Sequence, residues 1–299
     1  MDFILACADG LSWRQLAPFV RSARGSAPAA KVVLFIHALD DATRAKLRRH
    51  DIDLQPLDAL FPGGRPRSER ARRILWWLAR RLCRMLRYPE FKRRLLDRAG
   101  GLLLPRNQAR FFTYRAFLEA CTCPGDRTLI CDARDLVFQD DPFAVMPRAG
   151  LVLTEESTDV PLRSNRYNAQ WLRETYGAAA LQQFGSQRVV CAGAFGGEHE
   201  ALLRLLDNII LESLDHPTLY GADQAILNFL HGSGRIVALV TPNQDSLAWH
   251  LYGVREDDIR VDAAGRIVDG HGHVYPIVHM YDRHPRIEAA VLAHWRAET

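Results

Sequence analysis

Four aspartates follow one apolar segment of the chain. The run Leu129–Cys131 ends at Asp132, and Asp135, Asp140 and Asp141 come shortly after it. In an open parallel sheet, ligands bind outside the carboxyl ends of the strands, so acids placed there face a ligand instead of the core. Carboxylates suit Mg²⁺ or Mn²⁺, and such ions are often held together with substrate phosphates. The spacing therefore predicts a divalent cation that bridges the protein to a diphosphate.

Local structural roles are the alternative explanation for these acids. Asp140 and Asp141 precede Pro142, and an Asp-Pro pair is typical of a turn. Asp132 could likewise simply cap the end of the strand. Such local roles explain Asp132 and Asp135 less well than they explain Asp140 and Asp141. An aspartate-rich prenyl-diphosphate site would lie on a helix, whereas this segment follows a β-type run.

The elements that must position the acids alternate between strand and helix patterns. Strands are predicted at 2–8, 31–39, 127–138, 150–157, 187–197, 235–240 and 274–283. Helices are predicted at 12–24, 40–50, 109–121, 168–177, 198–214 and 222–232. This order favours an α/β fold with a mostly parallel sheet flanked by helices.

Composition indicates an ordinary globular protein. The 299 residues are 48% hydrophobic and 25% charged, and a chain of this length can bury a large core. No linker-like stretch interrupts residues 1–299, which predicts a single domain. The first residues do not have a secretory-signal pattern, and no apolar run approaches the roughly 18 residues of a spanning helix. Six cysteines without paired metal spacing favour a reducing cytoplasm.

Positive charge is concentrated in one segment. Residues 65–98 contain thirteen Arg or Lys and three acids, a net charge of +10, while the whole chain carries +4. The stretch ILWWLARRLCRMLR combines tryptophans, a leucine-rich stripe and arginines, which is typical of a helix in a membrane interface. We predict a basic helical insertion at about 64–100 that associates with an anionic membrane surface. Alternatively, the leucine-rich stripe of the insertion packs on the domain, and its arginines bind an acidic acceptor. No nucleic-acid partner is expected, because the rest of the chain is acidic.

The aspartate segment also resembles a known family. LICDARDLVFQDDPF is similar to the Asp-x-Asp region of nucleotide-sugar glycosyltransferases of the GT-A fold, as in family 8 (glycogenin-like) and related groups. RFFTYRAFLEA, VVCAGAFGG, GADQAILN and IVHMYDR resemble four other family segments, in the family's order. The resemblance covers roughly 105–284 and the first strand. It implies a Rossmann-like mixed sheet and metal-assisted sugar transfer from a nucleoside diphosphate to an acceptor hydroxyl, with retention of anomeric configuration.

The resemblance also implies roles for individual residues. The metal, Mn²⁺ or Mg²⁺, is expected on Asp132, Asp135 and His279. Asp223 and Arg115 are the implied catalytic residues at the sugar, although Asp223 also suits a helix N-cap and His279 a buried strand position. The implied nucleotide- and donor-binding residues are Cys7, Ala8, Asp9, Arg110, Tyr114, Asp132, Ala133, Arg134, Gly193 and Gln224.

The central motif departs from the family pattern, because Asp-Ala-Arg-Asp replaces Asp-x-Asp. Counting forward from the preceding helix puts Arg134 at the second acid, which implies a metal-free enzyme that neutralises the diphosphate with arginine. Counting back from Asp141 puts Asp135 there and implies a metal site with one extra residue. The second alignment is favoured, because His279 supplies a third ligand.

Two other classes of protein remain open at this stage. A sugar nucleotidyltransferase also uses acids with Mg²⁺, but it usually has a Gly-rich basic loop after the first strand, and ACADGLSWRQLAP has one glycine. A degenerate GT-A fold acting as a nucleotide-binding scaffold is the non-catalytic alternative. For the enzyme, the expected acceptor is a carbohydrate or lipid-linked glycan of bacterial surface polysaccharide or glycolipid synthesis. The expected location is the cytoplasm, peripheral to the inner face of the plasma membrane.

Overall fold

The computed structural model describes residues 1–57, 68–85, 89–156, 159–216 and 221–296. Within them, the strands are β1 (Asp2–Cys7), β2 (Lys31–Ile36), β3 (Asp53–Pro56), β4 (Arg127–Asp132), β5 (Leu136–Phe138), β6 (Leu151–Glu155), β7 (Val190–Glu198), β8 (Leu239–Thr241), β9 (Ala248–His250), β10 (Arg260–Val261), β11 (Ile267–Val268) and β12 (Ile277–His279). The helices are α1 (Trp13–Ser26), α2 (Asp41–Arg49), α3 (Glu69–Met85), α4 (Pro89–Leu103), α5 (Arg106–Cys121), α6 (Pro142–Val145), α7 (Arg166–Tyr176), α8 (Ala178–Phe184), α9 (His199–Asp215), α10 (Ala222–Gly232) and α11 (Pro285–Arg296).

The large sheet has seven strands in the order β3-β2-β1-β4-β7-β6-β8. Four neighbouring pairs are parallel, and β7 is antiparallel to both β4 and β6. The predicted fold class, an α/β fold with a mixed, mostly parallel sheet flanked by helices, is confirmed. The assignment of residues 1–299 to one domain stays a prediction.

The sheet is buried on both faces, as β1 illustrates. Successive side chains of a strand point to opposite faces. Phe3 and Leu5 join the core cluster that includes residues of α5, α9 and α10, while Ile4 and Ala6 join the cluster that includes residues of α1. The continuous apolar runs in the sequence therefore form strands with helices on each side.

A second, three-stranded sheet brings the last strand to the acidic segment. β12 pairs antiparallel with β5 and parallel with β9, and His279 lies opposite Leu136 and His250. The strand predicted at 274–283 is shorter than expected, because Met280 adopts a left-handed conformation at φ 62°. The Met280 N–H donates to the Asp135 carbonyl at 2.8 Å. This turn ties the end of β12 to the residues that follow β4.

The basic insertion forms α3 and α4, while its residues 64–67 and 86–88 lie outside the described residues. Trp76 is buried in the main core cluster and anchors one side of α3. The opposite side of the same helix presents large apolar side chains to solvent: Ile74, Leu75, Trp77, Leu78, Leu82 and Met85. In the part of the chain that the structure describes, no helix has the length and hydrophobicity to cross a membrane.

Candidate functional site

The three predicted metal ligands come together at the carboxyl ends of β4 and β12. Asp132 ends β4, Asp135 lies in the turn that follows, and His279 ends β12. The Nε2 atom of His279 lies 3.8 Å from an oxygen of Asp132 and 3.6 Å from an oxygen of Asp135. One ligand atom from each residue fits within a group whose members all lie within 4.8 Å of one another. The group is compact enough for one cation to contact all three after small side-chain movements.

The state of His279 fits a cation at this position. Its Nε2 atom is buried and makes no hydrogen bond to any atom of the described ranges. Buried polar atoms are rarely left without a partner, so an orphaned nitrogen between two carboxylates indicates a missing ligand. Two carboxylates and one imidazole form a donor set suited to Mn²⁺ or Mg²⁺, with the nitrogen favouring Mn²⁺.

The electrostatics of the group also favour a positive charge at its centre. Burial opposes protonation of His279, but the Asp135 carboxylate outweighs this effect and holds the pKa of His279 well above its usual value. Burial would likewise raise the pKa of Asp135, yet His279 reverses that effect and the pKa of Asp135 lies below its usual range. In the absence of a metal, a proton on His279 therefore supplies the positive charge that a cation would supply.

The side chain of Arg134 does not join this group. Arg134 is exposed, whereas Asp135 is buried at 8% exposure and faces His279. The carbonyl of Arg134 accepts a hydrogen bond from the hydroxyl of Tyr281 at 3.2 Å. Ala133, between Asp132 and Arg134, is buried. The geometry therefore supports the alignment in which Asp135 is the second acid of the motif.

Gly193, in β7, leaves the space that the three ligands face. A Cβ atom at this position would lie 2.2 Å from Cε1 and 2.8 Å from Nε2 of His279, and 3.0 Å from Oδ2 of Asp132. Any larger residue would fill the space beside both ligands. The glycine predicted at the donor site is thus required by a close approach and not by a turn.

A buried arginine links the acidic motif to the start of α10. Arg110 donates to Asp132 at 2.6 Å and to Asp223 at 3.0 Å, and Asn107 also donates to Asp223 at 3.0 Å. These residues line a cavity of 330 Å³ together with Asp135 and His279. The helix begins after Gly221, which adopts φ 68° and serves as N-cap. Asp223 is therefore not the N-cap, and its carboxylate instead belongs to the cavity wall.

Arg115 lies elsewhere, which corrects the role given to it from the sequence. It forms ion pairs with Asp97 at 3.6 Å, Glu119 at 2.7 Å and Asp207 at 2.5 Å. Five residues advance a helix by about 140° beyond one full turn, so Arg110 and Arg115 point in different directions from α5. Arg115 holds α5 against α4 and α9, and Arg110 is the arginine of this helix that reaches the cavity.

The residues predicted to contact the nucleotide lie at the same edge of the sheet but in different environments. Cys7 ends β1 beside Asp132 of β4, and Ala8 is fully buried. The Asp9 carboxylate accepts from the backbone N–H of His37 at 3.2 Å and from that of Ala38 at 3.0 Å. It therefore joins the segments that follow β1 and β2.

Tyr114, predicted to face the donor, packs in the core instead. It is fully buried, and its ring contacts those of Phe35 and Phe111 at centroid distances of 5.0 and 6.1 Å. Arg110 lies four residues earlier, so the two share one side of α5. Tyr114 supports the helix beneath the cavity and does not line the cavity.

Glu156 was missed by sequence analysis, although it follows β6 as Asp132 follows the apolar run of β4. Its two oxygens accept from the amides of Gln224 at 2.8 Å and Asn168 at 3.1 Å. Burial raises the pKa of Glu156 to about 7, despite those amides and the positive His279. Gln224 also accepts the N–H of Ala192 at 2.7 Å, so it fixes both β7 and Glu156.

A second cavity, of 540 Å³, adjoins the first. The rings of Tyr167 and Trp171 stack with their centroids 5.9 Å apart, and the ring of Tyr252 makes an edge-to-face contact with that of Tyr167 at a centroid distance of 6.5 Å. Residues that line both cavities form the passage between them: Glu156, Trp171, Met280 and Arg283. An aromatic cleft therefore opens directly beside the acidic group.

A second trio of metal-binding residue types, Cys191, His250 and His279, lies fully buried behind the first. The Nδ1 atoms of the two histidines are 3.0 Å apart, which is a hydrogen-bond distance. Burial raises the pKa of Cys191 to about 11. His250 and Cys191 therefore both lie against the Nδ1 side of His279, with His250 at hydrogen-bond distance.

No protein-family model and no curated protein matches this chain. Similar solved structures include galactosyltransferase LgtC with donor and acceptor sugar analogues, at 13% identity and TM-score 0.47, and an active-site mutant of LgtC at 15% identity and TM-score 0.47. Both alignments cover 98% of this chain and 96% of the other. The apo-form glycosyltransferase GlyE of Streptococcus pneumoniae TIGR4 matches at 12% identity and TM-score 0.46, over 93% of this chain and 54% of GlyE. Likeness at this level identifies neither a family nor an activity for this chain.

Proposed function

We propose that this protein is a glycosyltransferase that moves a sugar from a nucleoside diphosphate to an acceptor hydroxyl with the help of a divalent cation. The observation that carries the proposal is the convergence of Asp132, Asp135 and the orphaned Nε2 of His279 beside an open cavity. This cavity lies at the carboxyl edge of a mostly parallel sheet, which is where such folds bind ligands. The order of sequence motifs supports the same reaction class.

The cavity suits a donor diphosphate and its sugar. When bound, the divalent cation supplies Lewis-acid stabilisation of the charge that grows on the leaving diphosphate. Arg110 holds Asp132 and Asp223 in fixed positions in the wall of the cavity. Asp223 can accept hydrogen bonds from sugar hydroxyls, and Arg283, half-exposed at 4.0 Å from Asp135, can contact a phosphate oxygen. Retention of anomeric configuration is part of this proposal, following the family resemblance.

The aromatic cleft suits the acceptor. Binding pockets for small molecules combine apolar and aromatic walls with a few polar groups, and the C–H face of a sugar ring packs on such walls. Tyr167, Trp171 and Tyr252 supply those walls, while Glu156 lies where the cleft meets the donor cavity. With a pKa near neutrality, Glu156 can accept or return a proton at physiological pH.

A donor-hydrolysis screen tests the proposed reaction. Common nucleotide sugars are incubated with the protein and either Mn²⁺ or EDTA, and the released nucleoside diphosphate is measured. We expect hydrolysis of one donor class with Mn²⁺ and its loss with EDTA, because the cation stabilises the leaving group. A protein that hydrolyses no donor, and that binds nucleoside diphosphates without turnover, is instead the scaffold on a degenerate fold.

We also propose that the exposed side of α3 associates with the anionic surface of a bilayer, where a lipid-linked acceptor would be presented. Trp77 and Leu78 are 56% and 48% exposed on this side. Arg81 lies over the Trp77 ring at 5.3 Å, so positive charge borders the apolar surface. Anionic lipid contributes about 1 kcal/mol per basic residue near the surface. A bilayer would satisfy the apolar side chains and the arginines at once, and the location that we propose is the inner face of a plasma membrane.

Vesicle co-sedimentation at low salt tests the membrane proposal. We expect stronger binding to phosphatidylglycerol-containing vesicles than to phosphatidylcholine vesicles, and weakening as salt screens the charges. Leu78→Glu should abolish this preference, because it adds a carboxylate to the apolar surface. Val237→Glu is the matched control, since Val237 is 89% exposed outside α3. Equal binding of the unchanged protein to both vesicle types would exclude this role for α3.

A further inference from the structure

A hydrogen-bonded series of side chains leads from His279 away from the proposed cation site. Its Nδ1 atom lies 3.0 Å from Nδ1 of His250, and Nε2 of His250 lies 2.5 Å from Oγ1 of Thr154. Thr154 in turn donates to the carbonyl of Ala194 at 3.3 Å. Cys191 is also near His279, but its sulfur is 3.7 Å from Nδ1, so His250 is the closer partner. The three side chains of this series, Thr154, His250 and His279, are all buried.

The position of His250 is fixed independently of its ring. Its backbone N–H donates to Asn243 at 2.8 Å, and the Asn243 amide donates to the His250 carbonyl at 2.9 Å. The parallel pairing of β9 with β12 places His250 directly opposite His279. The backbone of His250 is therefore held directly opposite that of His279, which brings the two rings together.

The ring and hydroxyl protons of this series can be arranged in two ways that keep the hydrogen bonds between its side chains. A neutral imidazole carries one N–H, so each ring either donates or accepts at Nδ1. If His279 donates at Nδ1, its Nε2 keeps a lone pair, His250 donates from Nε2 to Thr154, and Thr154 donates to Ala194. If the order is reversed, Thr154 donates to His250 and Nε2 of His279 carries a hydrogen. A cation on Nε2 of His279 would require the first arrangement, because that nitrogen then carries no hydrogen, and Thr154 is placed to accept from His250 while donating to Ala194.

We propose that Thr154 and His250 are positioning residues that hold His279 with its Nε2 lone pair directed at the cation site. This inference rests on the proposed metal-dependent function. Metal-binding histidines generally donate their second ring N–H to a neighbouring acceptor, which sets the tautomer and the orientation of the ring. Here the acceptor is a second histidine, whose own tautomer depends on the hydroxyl of Thr154.

Two substitutions of Thr154 isolate that hydroxyl. Thr154→Val keeps the shape of the side chain and removes the acceptor for His250, whereas Thr154→Ser keeps the hydroxyl. Calorimetric titration with Mn²⁺, without any donor, should show about 10- to 100-fold weaker binding for the valine variant, which is the usual effect of losing such a partner. The serine variant should bind like the unchanged protein. Thermal melting verifies that both variants are folded.

Nitrogen-15 NMR of the histidine rings gives a second readout that needs no substitution. With saturating diamagnetic Mg²⁺, we expect the proton of His279 on Nδ1 and that of His250 on Nε2. Equal Mn²⁺ affinity of the valine and serine variants, or a proton on Nδ1 of His250, would overturn the proposal and leave the metal site in place. If the unchanged protein binds neither Mn²⁺ nor Mg²⁺, both this inference and the proposed metal dependence are wrong.

Discussion

Asp135→Asn should abolish Mn²⁺-dependent donor turnover while the protein remains folded. The amide has nearly the shape of the carboxylate but lacks its charge, and Asp135 is the most buried carboxylate of the metal-ligand group. Loss of a residue that only supports a ligand costs about 10- to 100-fold in metal affinity or activity, so loss of a ligand should cost more than that. Activity assays and Mn²⁺ calorimetry measure the effect, and thermal melting separates it from unfolding.

Arg134→Ala is the matched control for this prediction. Arg134 adjoins Asp135 in sequence, but its side chain is exposed, whereas that of Asp135 is buried. Its removal should leave Mn²⁺ binding unchanged, because neither a ligand nor the backbone hydrogen bond from Tyr281 is lost. The opposite pattern, with turnover insensitive to EDTA and abolished in Arg134→Ala, would make the arginine-based alignment the right one.

The acids at the strand ends were predictable, because an apolar run and the acid that follows it are adjacent in the sequence. An apolar run that ends in Asp132 places this residue at a sheet edge in any parallel α/β fold. The same rule applies to Glu156 after β6, where it was not used. Its signal was present in the sequence, but it did not belong to a recognised motif.

The partners of His279 were not predictable in this way. His250 is 29 positions away and reaches His279 only because β9 and β12 pair in a second sheet. Strands of three residues carry too little periodicity to be recognised from sequence. The left-handed Met280 that ends β12 has no sequence signature either, since such conformations usually occur at glycine or asparagine.

The role of Arg115 shows where motif matching is weakest. The motif places a helix before the acids, but it does not determine which arginine of the helix faces the ligand. That choice depends on the rotation of α5, which is set by packing against α4 and α9 and by the ion pairs of Arg115 with Asp97 and Asp207. Arg110 was included among the donor-binding residues, and the structure directs it to the cavity.

Asp223→Ser should strongly reduce turnover in a protein that still folds. Serine is a good N-cap, so a capping role for Asp223 would be preserved in this variant. The structure gives the cap to Gly221 and directs Asp223 to Arg110 and Asn107. Serine is too short and uncharged to replace both contacts. Arg110 would keep Asp132 as its partner, but the cavity would lose a fixed carboxylate at the site proposed for the donor sugar.

Asp41→Ser separates this site effect from a general effect on helices. Asp41 is an exposed acid in the first turn of α2, far along the chain from the cavity residues. Both substitutions remove a negative charge from a helix N-terminus, a change worth about 0.3–1 kcal/mol. Asp223→Ser also breaks a buried ion pair with Arg110, so it should melt below Asp41→Ser, and loss of turnover only in folded Asp223→Ser is the expected result. Turnover by Asp223→Ser equal to that of Asp41→Ser would remove Asp223 from the catalytic residues and leave Arg110 with a purely structural partner at the start of α10.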